Sequence, residues 1–207
     1  MIRPLRELLE SILFAVIIFF FIQSSVQNYR VEGSSMLPLL EEGEMLLVNK
    51  LVYNSVDMQR LSRLVPFWES KEKSPLNIFH PPNRGDVVVF HFPLDLKREF
   101  VKRVIGLPGD QVEITSGVVY INGRELPEPY LSPAISKQHS IDPIKLSKDQ
   151  YFVLGDNRTA SNDSRDWGPV PKENIVGKVW FVYWPTSNLR FFKFLSEESE
   201  LSKTNLP

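Results

Sequence analysis

Two side chains in this 207-residue chain lie in contexts that can turn an ordinary residue into a reagent. Ser35 sits in RVEGSSMLPLL (residues 30–40), where Gly33 permits close backbone approach and Pro38 fixes a turn. A serine hydroxyl is a weak nucleophile at its free pKa and needs a base beside it. His80, His91 and His139 are scattered, and His91 in VVVFHFP continues a strand pattern, so a Ser–His–Asp triad has little support. The other base is lysine. In FVKRVIGLPGD, strand alternation puts Phe100, Lys102 and Val104 on one face and Val101, Arg103 and Ile105 on the other. A lone strand lysine normally reaches solvent. If its face is buried, desolvation brings the ammonium pKa down from about 10.4 towards roughly 7–8, the range useful to a general base.

The elements that must position these groups are mainly β. VVVF (87–90), the stretch 100–105, YFVL (151–154) and VWFVYW (179–184) read as strands, and LPGD (107–110) as a turn. Asn122-Gly123 between strand formers marks a hairpin. Residues 155–168, GDNRTASNDSRDWG, read most simply as a loop whose polar side chains, Asn157 and Asn162 among them, bond their own backbone. Ahead of all this lies a span, 8–26, uncharged from Ser11 onward. About 19 helical residues reach close to 30 Å, the hydrocarbon thickness of a bilayer. A retained anchor is expected over a cleaved signal, because the span is long for a signal and no Ala-x-Ala site follows. Arg3 and Arg6 place the N-terminus on the cytoplasmic side and the large domain outside.

The expected division is a short cytoplasmic N-terminus (1–7), the transmembrane anchor (8–26), an extracytoplasmic β domain (27–195) and a polar tail (196–207). Within the domain, 54–82 is an insert and 111–150 a hairpin-containing subdomain. Apolar residues of the insert, such as Leu64 and Trp68, have two open uses, touching lipid or packing on the domain. The chain has no cysteine, which excludes disulfides, a thiolate nucleophile and Cys-ligated metal. The histidines lack ligand spacing, so neither a metal nor another cofactor is expected. A net charge of -1 gives no basic bias towards nucleic acid.

GSSM with the following Pro38, RGDVVVF (84–90), KRVIGLPGD (102–110) and GDNRTASNDSRDWG (155–168), in that order behind the apolar span, resemble the motif boxes of bacterial type I signal peptidases. The resemblance runs to about Trp184. It implies a mostly antiparallel β fold with an apolar surface near the membrane. It also implies a serine endopeptidase with Ser35 as nucleophile and Lys102 as general base, acting on signal-peptide-bearing preproteins at the lipid bilayer. Ser161 matches the serine that orients the lysine, and Asp163 and Arg165 match a supporting ion pair. The Ser35 N–H matches an oxyanion donor. Some members add a serine hydroxyl where Gly33 stands here. Cleavage after small side chains, at the residue before the scissile bond and the third before it, is implied too. The matching pocket positions are Val31, Gly33, Met36, Leu40, Leu46, Val89, Phe100 and Val101. Asp156, Arg158, Arg84 and Asp86 are expected to be structural. Two other readings are a self-cleaving Ser–Lys regulator, which would need a regulatory domain where the apolar span lies, and an anchored β domain that binds partners without catalysis.

Overall fold

A computed structural model of the chain describes residues 2–53, 81–131 and 140–192. The expected insert lies outside the described residues up to position 80, as do His80, His139 and the tail 196–207. Helix α1 covers Ile2–Ser25, 24 residues, so it begins before the expected span and hands Val26 to a strand. Ten of its large apolar side chains from Leu8 to Phe20 are exposed, while those of Phe21 and Ile22 lie outside the description. Among the described residues no helix is long and apolar enough to cross a membrane, so the expected single transmembrane helix is not found as such.

The fold is mainly antiparallel β. The larger sheet runs β1 (Val26–Arg30), β2 (Met45–Asn49), β11 (Ile175–Trp184), β3 (Val87–Phe92), β4 (Asp95–Gly106), β9 (Gln150–Leu154) and β10 (Val170–Pro171), and β12 (Arg190–Phe191) also pairs with β11. A second sheet orders β7 (Arg124–Glu125), β6 (Val118–Ile121), β5 (Gln111–Thr115) and β8 (Ile141–Lys145). Its β6–β7 turn has φ of +53° at Asn122 and +78° at Gly123, the positive values that two-residue hairpins demand. Strand β8 carries Pro143, tolerable because it pairs only with β5, at the sheet edge.

Three apolar clusters hold the sheets together. Val31, Met36, Leu40, Leu46, Val48, Val87, Val89, Val179 and Val182 form the one that underlies the loop between β1 and β2. A second, around Ile105, Phe152 and Leu154, joins the two sheets, and a third packs Val88, Phe90, Val104, Tyr151 and Val153. Strand β4 lies between β3 and β9, and from Lys102 to Gly106 the residues on both of its faces are buried. Phe100 and Val104 share the third cluster, whereas Val101 joins the first and Ile105 the second, as alternation requires.

Candidate active site

Ser35 lies in the 31–40 loop, which is closed at its base by Val31 N–H donating to Glu44 O at 2.8 Å and Gly43 N–H donating to Val31 O at 2.9 Å. Just past the serine, Leu40 N–H donates to Met36 O at 2.9 Å, and both side chains are buried in the first cluster. The loop is thus held down by buried apolar residues on either side of Ser35. Ser35 itself is half-buried.

Lys102 comes from the middle of β4. Its Nζ is 2.7 Å from Ser35 Oγ and donates to Val101 O at 2.9 Å, and it stands 5.4 Å from the centre of the Phe100 ring. The residue is only 4% exposed. Burial is the largest influence on its pKa, and it brings the ammonium down to about 8; Asp163 and Asp156 partly oppose this, and Arg165 adds to it. A group with a pKa of 8 is roughly a tenth neutral at pH 7, against well under a thousandth for an unperturbed lysine. One lone pair on a neutral Nζ can then face the Ser35 hydroxyl while an N–H stays on Val101 O.

The third component is the loop after β9. Asp163 caps the short helix α2 (Ser164–Trp167) and is fully buried. Burial alone would raise its carboxyl. Arg165, with Nε at 2.7 Å, and the Gly155 N–H at 3.0 Å more than compensate and hold it below the usual carboxylate range. Ser161 Oγ is buried without a partner at hydrogen-bond distance. It lies near enough to add a weaker pull on Asp163 in the same direction. It makes no direct bond to Lys102, whose amine is bonded to Ser35 and Val101 instead.

On the other face of β4, Arg103 forms a buried two-pronged bond to Asp156, at 2.8 and 2.6 Å, which ties the lysine strand to this loop. Arg158 pairs with Glu128, Arg84 with Asp110 and Asp86 with Lys178, all partners within the fold. Asn157 departs from the expectation that it bonds its own backbone. Its side chain reaches Ser34 O at 3.1 Å, 123 residues away, and its N–H reaches Ser35 O at 3.0 Å. A local pattern holds no signal for such a contact.

Gly155 sits where the three components meet. A Cβ there would land inside the Ser161 side chain and 2.5 Å from the Ser35 carbonyl oxygen, which as backbone can yield only by moving the 31–40 loop. Gly155→Ala is therefore expected to cut activity by more than tenfold and to destabilise the fold by about 1–3 kcal/mol. Parallel rate and thermal-unfolding measurements on the purified variant check this.

A cleft of about 430 Å³ opens beside Ser35 and Lys102. Of the expected pocket residues it is lined by Val31, Gly33, Leu46, Val89, Phe100 and Val101. Met36 and Leu40 are placed in the core below it, not in its wall. Sequence reasoning did not find Tyr29, Arg30, Glu32, Glu99, Ala160 and Asn162, which also line it. Among the described residues the Ser35 N–H has no internal acceptor, and Gly33, at φ +82°, offers no hydroxyl beside it.

Residues 5–184 match the model of a family described as signal peptidase, peptidase S26. The chain is 37% identical to the signal peptidase I of Leptolyngbya laminosa, over 90% of this chain and 83% of that one. It is 38% identical to the signal peptidase I of Bacillus caldolyticus, over 79% and 82% of the two chains. A crystal structure of a signal peptidase I from Enterococcus faecalis V583 is 35% identical, covers 48% of this chain and 97% of its own, and superposes with a TM-score of 0.42.

Proposed function

We propose, from the premise that this chain belongs to the signal peptidase family, peptidase S26, that it cleaves signal peptides from preproteins with Ser35 and Lys102 as its catalytic residues. The observation that carries the reading is the 2.7 Å approach of a buried, readily deprotonated amine to a serine hydroxyl at the edge of a cleft. A module that only binds partners has no use for a desolvated lysine, which costs stability.

The chemistry follows from the atoms. Neutral Lys102 takes the Ser35 hydroxyl proton as Oγ attacks the scissile carbonyl carbon. The carbonyl π electrons move onto oxygen, and the Ser35 N–H donates to that oxyanion. Collapse breaks the C–N bond, Lys102 gives its proton to the departing amine, and an ester to Ser35 remains. Water, deprotonated by the regenerated neutral lysine, attacks the ester; as the bond to Ser35 Oγ breaks, Lys102 returns that proton to Oγ, and the signal peptide leaves with a free carboxyl terminus. Asp163 and Arg165 hold the loop that backs the lysine. Cleavage of a purified preprotein by wild type, Ser35→Ala and Lys102→Ala tests the assignment.

The site of action in this reading is the plasma membrane. Helix α1 would hold the protein to that membrane through its exposed Leu, Ile and Phe side chains, with the catalytic domain on the extracytoplasmic side. Ser35 is nine residues past Val26, and an extended chain advances at most roughly 3.3–3.6 Å per residue. The nucleophile then works within about 30 Å of the bilayer, where a translocated signal peptide presents its cleavage site.

Val31, Leu46, Val89, Phe100 and Val101 are the side chains that limit substrate size in the cleft. Val31 also packs in the first cluster. Val31→Ala should admit larger residues at the third position before the cut, with only modest loss on Ala-x-Ala substrates. A methylene in such a pocket is worth about 1–3 kcal/mol, so selectivity relaxes and does not switch. A panel of preproteins varied at that position reads the change; a uniform loss with an unaltered profile would assign Val31 to packing alone.

A further inference from the structure

We propose that Asn157 is a positioning residue that aims the Ser35 N–H into the cleft as the oxyanion donor, an inference that rests on the Ser35–Lys102 reading. A trans peptide group is planar, so the C=O of one residue and the N–H of the next point in opposite directions within one plane. Holding Ser34 O therefore fixes where the Ser35 N–H points. Asn157 Nδ2 donates to that oxygen at 3.1 Å, and Leu37 N–H donates to it at 3.2 Å. The following peptide is held by the same residue, through Asn157 N–H donating to Ser35 O at 3.0 Å.

Both peptide planes flanking the Ser35 Cα are thus bonded to Asn157, and the opposite end of the first is the N–H without an internal acceptor. The amide itself is locked: Thr159 Oγ1 donates to Asn157 Oδ1 at 2.9 Å, and Asn157 is 9% exposed. The device matters more here because Gly33 supplies no side-chain hydroxyl to share the charge. A preorganised donor is worth its full strength only if it already points at the place where the oxyanion forms. Asn157 is not among the groups that shift Lys102, so its role is read apart from the lysine's at a pH where the amine is fully neutral.

Asn157→Asp keeps the size of the side chain and the acceptor for Thr159 but replaces the donor to Ser34 O, while leaving the backbone bond to Ser35 O. With the full chain in detergent and a preprotein substrate, kcat should fall by roughly 10–100-fold, with KM within about twofold. The added carboxylate should raise the pH midpoint, as Asp163 and Asp156 already pull the Lys102 pKa upward, so kcat is compared on the plateau at high pH, where the lysine is neutral in both enzymes. Two inhibitors isolate the effect. A peptide aldehyde adds to Ser35 Oγ and places a tetrahedral oxygen at the donor, whereas the matching peptide alcohol cannot add. The aldehyde should weaken by the same factor as kcat and the alcohol by none.

Equal weakening of both inhibitors, or a retained kcat, overturns the proposal. Should Asn157→Asp fail to fold, Thr159→Val unlocks the amide from nearer the surface and should show the same pattern at about threefold. A Thr159→Val enzyme identical to wild type then overturns it. If wild type and Ser35→Ala cleave alike, the peptidase reading itself fails, a result distinct from all of these.

Discussion

Ser35→Ala is expected to lose all measurable preprotein cleavage while its thermal unfolding midpoint stays within about 2–4 °C of wild type. The hydroxyl is the atom that would form the ester, and no neighbouring group can replace it. Its structural contribution is one bond to Lys102, whose amine keeps its bond to Val101 O. Ser34 provides the control. It is exposed, and its carbonyl, not its side chain, carries the bonds to Leu37 and Asn157. Ser34→Ala should therefore keep most of the activity. An inactive Ser34→Ala beside an active Ser35→Ala would falsify the placement of the nucleophile.

Lys102 should govern the pH dependence. With its pKa brought to about 8 by burial, kcat/KM should rise with pH through a single group near that value and then level off, since the neutral amine is the reactive form. Lys102→Arg keeps the charge but has no accessible neutral form, so it should be inactive at every pH, by at least about a thousandfold. The same burial predicts a stability effect of definite sign. The folded pKa lies below the unfolded one, so between about 8 and 10.5 the unfolded chain binds more protons and stability rises with pH. The full cost applies below pH 8 and has vanished above 10.5. Lys102→Met, which removes the ammonium but fills the space, should accordingly be inactive yet more stable than wild type at pH 6, by about 1–3 kcal/mol. Denaturant unfolding at pH 6 and pH 11 measures this, and an equal difference at both would show that charge burial is not the cause.

The sequence alone determined what is encoded locally. Val87, Val88, Val89 and Phe90 form a run that only a covered strand can bury, and β3 contains it. Asn122-Gly123 specifies its hairpin because few other pairs accept positive φ twice. The motif order pointed to Ser35 and Lys102 among the many serines and lysines of the chain, and the fold brings these two to 2.7 Å. Short strands escaped: β10 and β12 are two residues each and exist only because a neighbour offers its hydrogen-bonding edge. Strand β1, VQNYR, has no clean apolar face and is recognised only by its pairing with β2.

Tertiary structure decided whether the site's groups meet and in what state. Alternation gave Lys102 a face but not a depth; its amine meets the Ser35 loop and the charges of the loop after β9, both far away in the chain, and desolvation is a property of everything around a charge. Met36 and Leu40 match pocket positions in sequence, yet a loop turn points both into the core. Asn157 looks like any turn former, and its bonds to Ser34 and Ser35 arise only when β9 brings its loop across the sheet. Residue types set the available chemistry, whereas long-range packing sets distance, orientation and dielectric, and these bring a serine hydroxyl to 2.7 Å from a buried lysine amine.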